Sequence, residues 1–140
     1  MKTLTSRVIK TVIARCESEE DLYTCITKLV NENNVRSGCF QVIGALRRGK
    51  VGVFEHGKYE WLEHEGALEI SSCIGNVAVK EDKPFVHCHA VLGDDKGIII
   101  SGHLGEGCIV HPTAEIHLQV LEGEVKRRLD PETGLWILDI

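Results

Sequence analysis

From residue 39 onward the chain is a succession of short apolar runs separated by turn signals, and this patterning limits its fold more than any other feature. In residues 113–120, Glu115, His117 and Gln119 alternate with Ile116, Leu118 and Val120. That two-residue period belongs to a strand with one face on a core. Further strands are predicted over 39–46, 51–55, 58–62, 67–79, 85–92, 98–104, 115–122, 124–129 and 135–139, with Gly75-Asn76 breaking the fifth of the whole set if 7–15 is counted first. The punctuation comes from Arg47-Arg48-Gly49-Lys50, His56-Gly57, Glu81-Asp82-Lys83-Pro84, Gly123 and 130–134, all rich in turn-forming or charged residues.

Upstream, the β-branched stretch 7–15 also reads as a strand. One segment differs. Ser18 is a suitable N-cap, and Glu19, Glu20 and Asp21 follow where a helix dipole favours acids. Leu22, Cys25, Ile26, Leu29 and Val30 then form a single helical stripe. Asn33-Asn34 ends it. One helix among many strands predicts an α+β fold. The expected architecture is a single domain over 1–140: a strongly bent antiparallel sheet or barrel with one packed helix.

A chain of 140 residues buries a core without disulfide staples. The six cysteines stand singly, mostly inside apolar runs and with no CxxC pair, so they read as free, buried thiols rather than a disulfide set. No apolar run approaches the roughly 20 residues of a membrane span, and residues 1–7 lack a secretory apolar stretch. A cytoplasmic protein with no membrane partner is expected. The net charge of −5 disfavours a stand-alone grip on a phosphate backbone. The local cations are Arg47, Arg48 and Lys50, which read as a solvated turn, and Lys126-Arg127-Arg128, which reads as a strand end.

The chemistry concentrates in one hairpin. Residues 85–92 and 98–104 flank the polar, glycine-bounded segment Gly93-Asp94-Asp95-Lys96-Gly97. Alternation places His87 and His89 on one face and Cys88 on the other. With Leu92 opposite Ile98, His103 falls opposite His87 and Ser101 opposite His89. Opposed Cβ atoms lie about 4.5–5.5 Å apart, and the diagonal from His89 to His103 is about 7–8 Å. Three imidazoles then converge on a divalent metal, with one tetrahedral position left open. Zinc is the leading ion, although imidazole also suits nickel, copper and iron. A one-residue slip would send His103 to the other face. Gly102 permits close approach by a ligand or another strand. A lone histidine on a strand is usually filler, and His56, His64, His111 and His117 read so, with His111 in a loop before Pro112. Glu115 reads as a group that could approach the metal.

The segments Phe85-Val86-His87-Cys88-His89, Gly102-His103-Leu104, Gly107-Cys108 and Thr113-Ala114-Glu115-Ile116 resemble the PPC domain, the plants and prokaryotes conserved domain also called DUF296. Gly38-Cys39-Phe40, Glu65-Gly66-Ala67-Leu68-Glu69-Ile70 and Gly75-Asn76-Val77 extend the likeness to about residues 7–129. The resemblance implies a homotrimer with an antiparallel sheet and few helices, of the stand-alone prokaryotic type. It implies metal ligation by His87, His89 and His103. It also implies DNA binding as a family label, but the AT-hooks that precede the domain in land plants have no counterpart here, since Arg-Gly-Arg-Pro is absent.

The expected function is therefore a metal-binding, homotrimeric domain whose three-histidine site is structural or ligand-sensing. DNA-binding regulation is the first alternative. A metal-dependent hydrolase or lyase, with Glu115 or Glu106 as general base, is the second, and no GxSxG, HExxH or P-loop motif accompanies it.

Overall fold

The computed structural model describes residues 1–55 and 57–140. Its elements are β1 (Val8–Cys16), α1 (Leu22–Glu32), β2 (Gly38–Glu55), β3 (Lys58–Lys80), β4 (Lys83–Gly93), β5 (Ile99–Leu104), β6 (Ile109–Leu121), β7 (Lys126–Leu129) and β8 (Trp136–Asp139). The strands form one bent sheet in the order β1-β6-β2-β5-β4-β3-β7-β8, and β2 pairs with β3 as well. Pairing is antiparallel except for a single parallel register point between β3 and β7, Val79 with Lys126. The sheet is open in the sense that its terminal strands, β1 and β8, do not pair with one another.

The bend follows from two long strands. β2 borders β3 along its whole length and β6 from Gly38 to Arg48, then meets β5 through Val51–Leu104 and Gly52–His103. Register shifts at Val42/Ala45 and Leu46/Arg48 are bulges, which turn and twist a strand. At Gly44 an added Cβ would lie 2.4 Å from the Thr113 carbonyl oxygen, so β6 closes on β2 there only because that side chain is missing. The concave face holds an aliphatic core, with Leu22, Ile26 and Val30 of α1 against Val42, Leu46, Leu92, Val110 and Ile116.

Several local expectations are corrected. Asp21, not Ser18, caps the helix: its carboxylate accepts from Thr24 N at 2.8 Å and from Gly107 N at 2.6 Å. The Ser18 hydroxyl is engaged with His111 instead, and Glu19 takes a positive φ of 74°, so the acids precede the helix. Residues 47–50 are not a turn, because β2 continues through them on bulges. Gly75-Asn76 does not break β3: Gly75 fits under the Phe40 ring, where a Cβ would sit 2.4 Å from Cζ. Residues 81–84 contract to a two-residue turn, with Glu81 and Asp82 both at positive φ. His111 lies in β6, not in a loop. The expected His56-Gly57 turn has its first residue outside the described residues, although Glu55 does pair with Lys58 across it. The six thiols are free, and four of them are buried. Among the described residues no helix is long and apolar enough to cross a membrane.

Candidate metal centre

The hairpin of β4 and β5 forms as expected, with its register moved by two residues. His89, not His87, lies opposite His103, and Leu92 lies opposite Ile100. The cause is the connection. Asp94 accepts from Lys96 N at 2.9 Å and from Ile98 N at 2.7 Å, and Asp94 N donates to the Ile98 carbonyl. This side-chain turn lengthens the loop and closes the ladder at Gly93–Ile99. A shift of two keeps every side chain on its face, so the three histidines still converge.

The ring centroids are 4.2 Å apart for His89–His103, 5.0 Å for His87–His103 and 5.1 Å for His87–His89. One nitrogen from each ring lies within 4.8 Å of the others. Ligands about 2.0–2.1 Å from a tetrahedral zinc stand a little over 3 Å apart, so modest rotamer adjustment would bring the set to a common ion. His87 and His103 are half-buried and His89 is exposed. Burial, then Arg127 and the neighbouring imidazoles, pushes His87 down to about 4. Burial and His89 lower His103 too. Both rings are therefore neutral near pH 7, the form that ligates metal.

Each of the three histidines has a distinct support. His87 pairs in register with Asn76 of β3, and His89 with Ile74. His103 is held where β5 meets β2. Gly102 makes that contact possible, since a Cβ there would lie 2.5 Å from the Gly52 carbonyl oxygen. The close approach is thus a neighbouring strand. The arm of β2 and β3 beyond that point carries Tyr59, which stands edge-on to His103 with centroids 5.2 Å apart, and Trp61, stacked on Tyr59.

Clefts border the triad. One, of about 470 Å³, is lined by His87, His103, Tyr23, Lys50, Trp61 and Glu106 among others. A larger one of about 750 Å³ is bordered by all three histidines and by Tyr59, Phe85 and Trp136. Glu106 thus shares a cleft with the triad. Glu115 lines neither of these, and sits opposite Arg15 and Ile43 instead. The remaining described histidines stand elsewhere. His64 Nε2 is 3.4 Å from Asp94, His111 contacts Ser18, and His117 is exposed on β6. A second group, Cys16, Glu20 and Cys25, also has its ligand atoms within 4.8 Å of one another. Burial pushes Cys16 up to about 12 and raises Cys25, which keeps both thiols protonated and poor as ligands.

Sequence reasoning missed Asn76, Tyr59, Arg127 and Trp136. One signal was available. The chain has seven aromatic residues, three Phe, two Tyr and two Trp, and every one lines one of three clefts that include at least one of these histidines.

Comparison with known proteins shows the family and the fold. The profile of the Plants and Prokaryotes Conserved (PCC) domain matches residues 4–122, and the chain belongs to that family. A metal-containing protein of Archaeoglobus fulgidus superimposes with a TM-score of 0.87 at 32% identity, covering 98% of each chain. A plant- and prokaryote-conserved (PPC) protein of Pyrococcus horikoshii gives 0.85 at 33%, covering 98% of this chain and 97% of the other. A protein of Bacteroides thetaiotaomicron, provisionally described as DNA-binding, gives 0.88 at 20% identity over 96% of each chain, a likeness of fold. Among curated sequences, a stretch of 56 residues is 43% identical to part of the bifunctional protein GlmU of a Synechococcus species. It covers 39% of this chain and only 9% of that protein.

Proposed function

We propose that this protein binds one divalent metal ion per subunit, zinc foremost, through His87, His89 and His103, and that it works as a cytoplasmic homotrimer in which the site is structural or ligand-sensing. The observation that carries the reading is the convergence of three imidazole nitrogens within 4.8 Å across two strands. When bound, such an ion supplies a Lewis-acidic centre with one open position. The protein's own part is to hold the His87 and His103 rings neutral, fix His103 between β2 and Tyr59, and wall the site with aromatic side chains. The metal-containing Archaeoglobus protein, 32% identical to this chain over almost its full length, supports it.

The trimer draws support from the sheet face that bears the histidines. In register across it run Ile13, His117, Gln41, Ile74, His89 and His103. Ile13, Ile43 and Ile74 are each more than half exposed, an apolar content that suits an interface between subunits. Elemental analysis of protein purified without a His tag, with solution mass by light scattering, tests both parts. The expected result is about one metal per subunit and three times the 15.5 kDa chain mass. Protein that takes up no zinc, with a melting temperature indifferent to chelator, would contradict it.

DNA binding is the alternative suggested by the names of relatives such as the Bacteroides protein. The cations it would rely on are occupied: Arg47 holds Glu19, while Arg48 and Lys50 both hold Glu63. A metal-dependent hydrolase or lyase would draw on Glu106, which shares a cleft with His87 and His103.

A further inference from the structure

The chain has seven arginines, and six hold a carboxylate. Arg7 pairs with Glu122, Arg15 with Glu17, Arg36 with Glu124, Arg47 with Glu19, Arg48 with Glu63 and Arg128 with Asp139. Arg127 has no carboxylate partner among the described residues. Its Nη1 donates to the Trp136 carbonyl at 2.6 Å and its Nη2 to Asn76 Oδ1 at 2.7 Å. Both acceptors are neutral, and Nε is buried without a partner. The guanidinium is thus fixed in place with its charge uncompensated.

Lys80 repeats the pattern beside it. Its Nζ stands 4.5 Å from the Trp136 ring centroid and 5.4 Å from that of Phe85, and it too lacks a carboxylate among the described residues. The Arg127 guanidinium lies 5.3 Å from the same Phe85 ring. Both cations border the cleft of about 750 Å³, and among the described residues no Asp or Glu lines it. In a chain of net charge −5, an acid-free cleft with two unpaired cations is a site of local positive potential. The ring faces stabilise both cations in part, but a half-buried guanidinium with no anion beside it still favours the arrival of a counter-charge. The cleft volume is that of a small-molecule site, and its other walls, Phe85, Leu135, Trp136 and Tyr59, are apolar or aromatic.

We propose that this cleft binds a small organic anion, with a carboxylate or phosphate head at Arg127 and Lys80 and an apolar or aromatic body against Phe85 and Trp136. The contact of that ligand with the three histidines rests on the metal reading above; its contact with the two cations does not. The β7–β8 hairpin that supplies Arg127 and Trp136 lies beyond the residues that the family profile matches.

Isothermal titration of zinc-loaded and chelator-treated protein tests this, using phenylacetate, phenyl phosphate, inorganic phosphate and the neutral phenylacetamide as probes. At least one aromatic anion is expected to bind ten times or more tightly than phenylacetamide and than inorganic phosphate. The tighter of phenylacetate and phenyl phosphate identifies the head group. Arg127→Gln and Lys80→Gln should each weaken that anion at least fivefold, the second with zinc content unchanged. The second variant guards against a hairpin that fails to form, because the Lys80 ammonium meets only ring faces. Equal binding of acid and amide, or both variants binding as wild type, would overturn the proposal. Failure to hold zinc, with anion binding intact, would instead overturn the metal reading and leave this one standing.

Discussion

Two cationic stretches look alike in sequence and differ in what faces them. Arg47, Arg48 and Lys50 sit on the bulged middle of β2 beside the acids of β3 and of the helix approach. Each is answered, and hydrogen bonds from these cations hold Glu19 and Glu63 below the ordinary carboxylate range. Arg127, between Lys126 and Arg128 on β7, is left unanswered while both neighbours find acids. Burial lowers its pKa rather than an anion raising it. Charge in a sequence therefore says little about a surface until its partners are known. The first stretch is spent on the fold, and the second is open to a ligand.

The sharpest test of this contrast is stability. Arg127→Ala strips the Trp136 carbonyl and Asn76 of charge-assisted bonds and should cost about 2 kcal/mol in urea unfolding. Arg47→Ala removes an exposed, solvent-screened pair and should cost clearly less. Equal losses would erase the distinction.

The next largest effect is on pH dependence of the metal-free protein. An unfolded histidine takes its proton near pH 6.5, whereas His87 resists until about 4. The unfolded state thus binds the extra proton first. The stability contributed by the neutral ring is complete above about pH 6.5 and is lost as the pH falls toward about 4. Glu19 and Glu63 act lower. Their contribution is present above an unfolded carboxylate pKa of about 4.3 and is lost as the pH falls through their lowered folded values. His87→Asn should make the upper decline shallower and leave the lower one, and Glu63→Gln the reverse. Unfolding midpoints across pH 3–8 read both.

The smallest effect is on nucleic acid. Wild type should bind duplex DNA no better than an acidic control protein. Combining Glu19→Gln, Glu63→Gln and Glu65→Gln should tighten binding by less than about tenfold at low salt, a gain that disappears as salt rises. A steep salt slope in the wild type would show that the cations of β2 are free after all.

Much of this was legible in the sequence, for a definite reason. Strand alternation survives a register shift of two, so His87, His89 and His103 could be placed on one face although their exact pairing could not. The helix stripe from Leu22 to Val30 was equally plain, since its spacing depends on local geometry alone. What escaped depended on distant residues. Asp21 became the helix cap because Gly107 and Cys108, far along the chain, fix its approach. Residues 47–50 stayed in a strand because β3 pairs with Arg48, Gly49 and Lys50 and β6 with Arg48. Arg127 and Trp136 reach the triad through a hairpin whose link to the rest of the sheet is a single register point, and no local pattern announces that.

The central claim is that His87, His89 and His103 hold one metal ion, and metal content tests it most directly. Wild type, His87→Ala and His64→Ala would be prepared without a His tag, loaded with zinc, desalted and assayed with protein concentration. Wild type and His64→Ala are expected to retain about one zinc per subunit, since His64 turns to Asp94 and away from the triad. His87→Ala should retain almost none. Zinc retained equally by all three, or by none of them, would contradict the account.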